Sequence, residues 1–164
     1  LDPLTPGRGM GHVLPESLKE AGADAVFLNH AENPKTVAEL SACIERAKEL
    51  EMITIVCADS TKEAAAAACL DADIVLAEPT DLIGTGKTAT PEQAEDMCAF
   101  IRGVVSGIYD TATGDGMLIL YGGSMKPSNA KELLEKPDIN GGLIGGASLK
   151  ADDFAAIAEA AASL

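Results

Sequence analysis

The sequence predicts an α/β protein built on one parallel sheet, and three observations carry that prediction. Five short, continuously apolar stretches alternate with longer stretches of amphipathic, helix-like sequence. Gly, Pro, Asn and Asp punctuate the chain between them. Hydrophobic residues make up 47% and charged residues 23% of the 164, a composition and length that suit one domain with a sizeable core. We therefore expect residues 1–164 to form a single domain with a parallel sheet covered by helices.

After an opening loop and a short helix, the predicted strands and helices alternate along the chain. A Gly- and Pro-rich loop over residues 1–13 comes first, followed by a short helix with Pro15 near its start and Gly22 just past its end. The predicted strands are residues 25–29, 53–58, 74–77, 117–121 and 142–144. The predicted helices after them run from 34 to about 50, from about 60 to 70, from 91 to about 109, around 129–135, and from 151 to 163. Residues 111–116 are predicted to be a polar loop.

The helix predicted from residue 34 to about 50 illustrates how these bounds follow from the sequence. Asn33 can cap it and Pro34 can open it. Val37, Leu40, Ile44 and Ala47 then share one face, which should pack on the sheet.

Net charge and cysteine usage exclude several classes of partner. The formal charge of −14 argues against nucleic acid and anionic membranes, but backbone N–H groups can still hold a phosphorylated substrate. No apolar run approaches the roughly 18 residues that span a membrane, and no signal peptide is recognised, so a cytoplasmic location is expected. The four cysteines form no C-x-x-C pair, and the two histidines complete no zinc spacing. These spacings therefore predict no zinc site.

Candidate chemistry lies where the predicted strands end, because parallel strands present their carboxyl ends at one edge. His30 follows the first strand, and Glu78 follows the third. Gly122-Gly123-Ser124 and Gly145-Gly146 follow the fourth and fifth and could bind phosphate through backbone N–H groups. The combination suggests a small phosphorylated substrate and a proton transfer.

The Glu78 segment also contains a candidate lid. Pro79 ends the strand, and Gly84 and Gly86 give a loop that can approach a ligand closely. The alternatives are plain: Glu78 could be a satisfied charge at a strand end, and the glycines an ordinary flexible loop. His30 could equally be a hydrogen-bonded histidine with no catalytic role.

Four segments together resemble the triosephosphate isomerase family. They are residues 29–33 (NHAEN), 78–89 (EPTDLIGTGKTA), 121–127 (YGGSMKP) and 143–149 (LIGGASL). The part up to Asn33 is similar to archaeal members, and the part after Gly84 to bacterial ones. These are long, ordered matches, and the chain is identified as a member of the family on their strength.

The resemblance implies a fold and an activity. The fold would be a partial (β/α)8 TIM barrel with five parallel strands, each followed by a helix, corresponding to family units four to eight. The activity would interconvert dihydroxyacetone phosphate and glyceraldehyde 3-phosphate, a step of glycolysis and gluconeogenesis. Glu78 would be the base, and His30 would be a neutral imidazole that polarises the substrate oxygens. The triosephosphate isomerase family is itself the standard example of this combination of base and imidazole. Glu32 would be a supporting carboxylate.

The resemblance also implies how the phosphate is held. Backbone N–H groups at Gly84, Ser124, Gly145 and Gly146 would bind it, and residues 79–89 would close over the substrate and exclude water. The sequence departs from the family pattern at three places without removing this chemistry. Ala31 replaces the usual Ser, Asn33-Pro34 replaces a common Arg pair, and Asp81 stands where many members have Trp.

The main departure is length, because a complete barrel needs about 250 residues. The family's Asn–Lys pair belongs to the first unit, which has no counterpart here, so we expect these residues alone to be inactive or very weakly active. The alternative is a non-catalytic, oligomeric half-barrel that retains phosphate binding. Open sheet edges predict self-association as a dimer or tetramer, or completion by a separate N-terminal polypeptide.

Overall fold

The computed structural model describes residues 1–79 and 89–164, and at its centre is one sheet of five parallel strands. The strands are β1 (Ala25–Leu28), β2 (Ile53–Ala58), β3 (Ile74–Ala77), β4 (Leu118–Tyr121) and β5 (Gly141–Gly142). They lie in chain order, so that each strand pairs with the next one along the sequence. The predicted α/β fold class, a parallel sheet of five strands each followed by a helix, is confirmed.

Seven α-helices and one 3-10 helix accompany these strands in the described part of the chain. They are α1 (Pro15–Glu20), α2 (Val37–Glu49), α3 (Thr61–Cys69), α4 (Pro91–Ile108), α5 (Thr111–Gly116), α6 (Ala130–Leu134), the 3-10 helix Gly146–Leu149 and α7 (Ala151–Ala162). None of the helices in residues 1–79 and 89–164 is long and apolar enough to cross a membrane.

Side chains that cap helices decide where the longer helices begin. Thr36 accepts a hydrogen bond from the N–H of Glu39, whose carboxylate accepts in return from the N–H of Thr36. The same reciprocal box joins Thr90 and Gln93 at the start of α4. Each box satisfies N–H groups that the first helical turn leaves without partners.

The start of α2 corrects one prediction. The helix begins at Val37 and is capped by Thr36, not opened by Pro34 with Asn33 as its cap. The reciprocal Thr36–Glu39 box is a better start than a single Asn, because it satisfies two N–H groups. Val37 is therefore at the first position and 65% exposed, so the predicted apolar face was wrong there. Leu40, Cys43, Ile44 and Ala47 form the buried face.

Two further predictions were wrong in detail. Residues 111–116 form the helix α5 rather than a loop, because the Asp110 side chain accepts from the N–H of Thr113 and caps it. The last strand was predicted at 142–144 but spans Gly141–Gly142. The backbone of this strand packs tightly against Met125: a Cβ atom added to Gly142 would lie 2.5 Å from the Met125 Cε.

The two faces of the sheet differ in how well they are covered. On the helix-facing side, Val56, Val75 and Ile119 are fully buried and share one row of the register. On the other face, Phe27 and Leu118 lie in a row with Ile55 and Ile74 and are 51% and 48% exposed. The sheet thus has one packed face and, near the starts of β3 and β4, an apolar face open to solvent.

Candidate active site

The candidate site lies at the edge formed by the carboxyl ends of the strands. Backbone hydrogen bonds carry the sheet pairing into the segments that follow the strands. The N–H of Glu78 donates to the carbonyl of Ala58, and the N–H of Gly122 to the carbonyl of Ala77, both at 2.8 Å. Glu78 is therefore fixed at its backbone between the ends of β2 and β4.

A cleft of about 520 Å³ opens beside Glu78 at this edge. Of the predicted site residues, Glu78, Ser124, Gly145 and Gly146 line it together. Glu78 is 9% exposed, whereas Ser124 and both glycines are exposed at its mouth. The remaining lining residues are Gly122, Gly123, Met125, Lys126, Ala147, Lys150 and Asp153. The buried carboxylate of Glu78 thus shares the cleft with backbone-rich turns, two lysines and a second carboxylate, that of Asp153.

Side-chain hydrogen bonds hold the two turns of the cleft. The Asn129 amide donates to the carbonyl of Ser124 at 3.0 Å, and its Oδ1 accepts from the N–H of Lys126 at 2.8 Å. Beyond β5, the hydroxyl and N–H of Ser148 both donate to the carbonyl of Gly145, at 2.6 and 2.9 Å. Both turns are therefore shaped before any ligand arrives, which lowers the cost of binding.

Close packing explains the glycine pair after β4. A Cβ on Gly123 would lie 2.1 Å from the hydroxyl oxygen of Tyr121, a side chain that is fully buried. Such a contact is impossible without displacing the ring. Only glycine at this position lets the turn pass over Tyr121 and present Ser124 to the cleft.

His30 lies at the same edge, directly after β1 and Asn29, and is half-buried. Its Nδ1 accepts a hydrogen bond from the N–H of Glu32 at 3.2 Å. In a neutral imidazole, an Nδ1 that accepts leaves the ring proton on Nε2, so this contact favours that tautomer of the neutral ring. Glu32 thus meets His30 through its backbone, and its own side chain is exposed. Neither His30 nor Glu32 lines the cleft as bounded by the described residues.

The predicted lid falls mostly outside the described residues. Gly84 lies outside them with the rest of residues 80–88. The flanking positions are described: Pro79 follows Glu78, and Ala89 is buried just before the Thr90 cap of α4.

A second, much smaller space of about 40 Å³ lies on the other side of Glu78 and contains residues that the sequence did not single out. Asn29, Cys57 and Glu63 line it, together with Ala31, Pro34, Ala58 and Asp59. Burial and, to a smaller extent, the carboxylates of Glu78 and Glu63 together raise the pKa of Cys57 to about 11. Cys57 is therefore a neutral thiol, unsuited to act as a nucleophile or metal ligand. In the described ranges, no group of three or more His, Cys, Asp or Glu side chains is arranged to hold a metal ion.

The sheet and cleft define the class of protein. Parallel strands in chain order, each followed by a helix, with a cleft at their carboxyl ends, form a segment of a (β/α)8 barrel seen from its catalytic face.

Comparisons with known proteins narrow this class to one family. The family model for triosephosphate isomerase matches residues 3–161. The triosephosphate isomerase of Chlorobium phaeobacteroides is 41% identical over 94% of this chain and 71% of its own, and that of Prosthecochloris aestuarii is 42% identical over 94% and 70%. The crystal structure of triosephosphate isomerase from Bartonella henselae superposes with a TM-score of 0.83 at 28% identity, covering 97% of this chain and 73% of that one. The chain belongs to the triosephosphate isomerase family.

Proposed function

We propose that this chain carries the proton-transfer and phosphate-binding side of a triose-phosphate isomerase site. The observation that carries the proposal is the cleft, in which the buried carboxylate of Glu78 shares about 520 Å³ with Ser124, Gly145 and Gly146. That volume is more than enough to admit a three-carbon phosphate. Lys126 and Lys150 lie on the same walls, but Asp153 also lines the cleft and is 3.9 Å from Lys150. The case for an anionic ligand therefore rests on Lys126 and on the backbone N–H groups of the two turns.

In the proposed reaction Glu78 removes a proton from the carbon next to the substrate carbonyl and returns it to the neighbouring carbon. The Nε2–H of His30 donates to the carbonyl oxygen and stabilises the negative charge that develops there. To complete the isomerisation, the proton of the substrate hydroxyl passes to this oxygen, a transfer that the same imidazole can mediate. The Nδ1 contact with the N–H of Glu32 supports this role, because it keeps the proton on the nitrogen that must donate. The phosphate is held by N–H groups of Gly84, Ser124, Gly145 and Gly146, and the lid excludes water that would promote its loss.

We further propose that the 164 residues alone bind phosphate better than they catalyse. The resemblance assigns a lysine that offsets substrate charge to the family's first unit, and we match neither Lys126 nor Lys150 with it. Losing one well-placed donor costs on the order of 10²–10³ in rate. Phosphate binding without turnover is thus the second candidate function. The chemistry needs no metal or organic cofactor, and we infer a cytoplasmic setting.

A sensitive isomerase assay tests these proposals. It is run on the chain alone and on the chain mixed with a polypeptide that supplies the first three strand–helix units, hereafter the complemented preparation. We expect turnover in the complemented preparation to fall on the order of 10³-fold or more in Glu78→Gln. The exposed helix residue Glu159 supplies the matched control, Glu159→Gln, which should leave the rate unchanged.

The outcomes separate the two functions. Turnover by the chain alone that disappears in Glu78→Gln would overturn the expected inactivity while supporting the isomerase. Inorganic phosphate that binds the cleft without turnover in either preparation supports the phosphate-binding protein. Neither binding nor turnover would refute both.

A further inference from the structure

Asn29 is the residue between β1 and His30, and its backbone has an unusual conformation. Its φ is +60°, in the left-handed region that residues other than glycine seldom occupy and that Asn tolerates better than most. The residue is also 7% exposed, although its side chain is polar. A buried Asn in a left-handed conformation needs partners for its amide, because an unpaired buried polar group is costly.

The Asn29 amide has three partners from three different segments. Its Nδ2 donates to the carbonyl of Cys57 at 3.0 Å and to the Oε1 of Glu63 at 2.9 Å. Its Oδ1 accepts from the N–H of Lys35 at 2.9 Å. The side chain thus ties the end of β1 to the end of β2, to α3 and to the chain just before α2.

Glu63 anchors this arrangement to a helix. Its other carboxylate oxygen, Oε2, accepts from the N–H of Asp59 at 2.8 Å. Its own N–H donates to the Oγ of Ser60, the cap of α3, at 3.2 Å. The carboxylate is therefore held on both oxygens, and Asn29 is bonded to a fixed point rather than to a mobile side chain.

The segment held in this way is the one that contains His30. The Asn29–Lys35 bond spans the loop formed by residues 30–34. Inside that loop the N–H of Asn33 donates to the carbonyl of His30 at 2.7 Å, and the N–H of Glu32 donates to its Nδ1. The backbone on both sides of the imidazole is thus fixed through one amide.

We propose that Asn29, held by Glu63, is a positioning residue for His30. By fixing the left-handed turn before His30 and closing the loop after it, Asn29 keeps Nδ1 against the N–H of Glu32 and sets the direction of the Nε2–H bond. The importance of that direction for a substrate oxygen rests on the function proposed above. The positioning itself is a property of the free chain.

Two variants and one matched control test the proposal. Asn29→Gly retains access to the left-handed conformation but removes all three bonds. Glu63→Gln keeps the shape of the side chain but cannot accept from both Asn29 and the N–H of Asp59. The control is Thr54→Val at the opposite end of the strands. Thr54 is also fully buried, and its N–H and hydroxyl both donate to Asp73 Oδ2, at 2.8 and 2.7 Å.

The primary measurement is the ¹⁵N–¹H correlation spectrum of the histidine rings in the 164-residue chain. The chain has two histidines, so His12 in the opening loop serves as an internal reference. We expect wild-type His30 to show the Nε2–H tautomer alone. In Asn29→Gly its ring signals should move to those of a free histidine side chain, and in Glu63→Gln part of the way. Thr54→Val should leave the His30 and His12 rings unchanged.

The second measurement is the rate in the complemented preparation. Asn29→Gly should lower kcat on the order of 10²-fold, the usual effect of a small misplacement of a catalytic group, with little change in KM. Thr54→Val, which disturbs a polar network of similar size, should change neither constant.

The outcomes keep this proposal distinct from the isomerase itself. A His30 ring spectrum that is unchanged in both Asn29→Gly and Glu63→Gln overturns the positioning role. If Asn29→Gly unfolds, both histidines will lose their native signals, and Glu63→Gln then decides. Absence of turnover in every preparation counts against the proposed function, whereas the ring spectra still decide the role of Asn29.

Discussion

A Cβ atom on Gly122 would lie 3.3 Å from the Cβ of Glu78 and 3.1 Å from the Cγ of Leu76. Both neighbours are buried and belong to the same stretch of chain at the end of β3. The end of β4 is therefore packed directly against the candidate base. A methyl group at Gly122 can be accommodated only if these neighbours give way by a few tenths of an ångström.

We expect Gly122→Ala to impair the reaction more than it impairs folding. Displacing the Glu78 carboxylate should lower kcat of the complemented preparation by about 10- to 100-fold, because proton transfer depends steeply on position. The control is Gly103→Ala in α4, where an added Cβ meets nothing within 4 Å. Kinetics and urea unfolding are measured on both variants. Equal kcat values for the two would show that Glu78 tolerates the displacement.

Arg102 on α4 should be a main determinant of stability. Its Nε donates to the carboxylate of Asp138. Its two Nη groups donate to Asn140 Oδ1 and to four carbonyls, those of residues 114, 115, 117 and 138. One guanidinium therefore joins α4 to the end of α5 and to the chain just before β4 and just before β5.

Arg102→Lys should destabilise the chain by about 3 kcal/mol, because one ammonium cannot replace the fork of donors and leaves Asp138 poorly paired. The side chains of Arg102 and Asp138 are only 13% and 23% exposed. Urea unfolding monitored by circular dichroism gives the change in free energy of unfolding. Lys131→Met supplies the contrast, since its pair with Glu135 spans 3.8 Å and both partners are more than half exposed. A loss from Arg102→Lys no larger than that from the control would contradict the prediction.

Three buried thiols should make the protein lose stability in alkali. Burial is the main cause that raises the pKa of Cys57 to about 11 and that of Cys98 to about 12, and it raises the pKa of Cys43 as well. Well below pH 9 the thiols are protonated in both the folded and the unfolded states, and their contribution to stability is fully present. As the pH rises through 9, the unfolded chain releases protons that the folded chain retains. The free energy of unfolding then falls with a slope that approaches about 1.4 kcal/mol per pH unit for each thiol, until the pH reaches the folded pKa of that thiol.

Urea unfolding between pH 7 and 10 tests this linkage. Cys98→Ala should be less stable at pH 7 but should show a shallower decline above pH 9, because one of the three buried thiols is gone. Cys69 is exposed, so Cys69→Ala should follow the wild-type curve. Parallel curves for wild type and Cys98→Ala would mean that the thiol does not drive the decline.

The open sheet face should lead the isolated chain to self-associate. Phe27 and Leu118 are about half exposed on one apolar row, and β1 and β5 each pair with one neighbour within the described sheet. We propose that a second copy covers this face, and we expect a dimer or tetramer in native mass spectrometry. Leu118→Glu should shift the observed mass to that of a monomer. Val37 lies on α2 and is 65% exposed, so the control variant Val37→Glu should leave the mass unchanged. A monomeric wild type would refute this.

Apolar runs and capping signals made most of the fold predictable from sequence. Ile53–Ala58 and Ile74–Ala77 are strands with the predicted bounds, because a continuous apolar run has one compact solution in a covered parallel sheet. Errors arose where tertiary contacts decide. Asp110 and Arg102 make a helix of a segment with two glycines, and packing against Met125 limits β5.

The site was predictable in part for a related reason. Residues at strand ends, such as Glu78 and Ser124, converge because parallel topology brings all such ends to one edge. Asn29 and Glu63 were missed because their importance lies in a contact across 34 positions. The only local signal was an Asn at the last position of the predicted strand, because Asn tolerates the left-handed backbone better than most residues.

The strand order has a consequence for how this chain acquires its structure. Every strand pairs with the one made just before it, so no strand has to wait for a distant partner before it can hydrogen-bond. Pairings of such modest sequence separation have a small loop-closure cost and favour rapid growth from a local nucleus. As the chain leaves the ribosome, each new strand–helix unit would find its docking edge already in place.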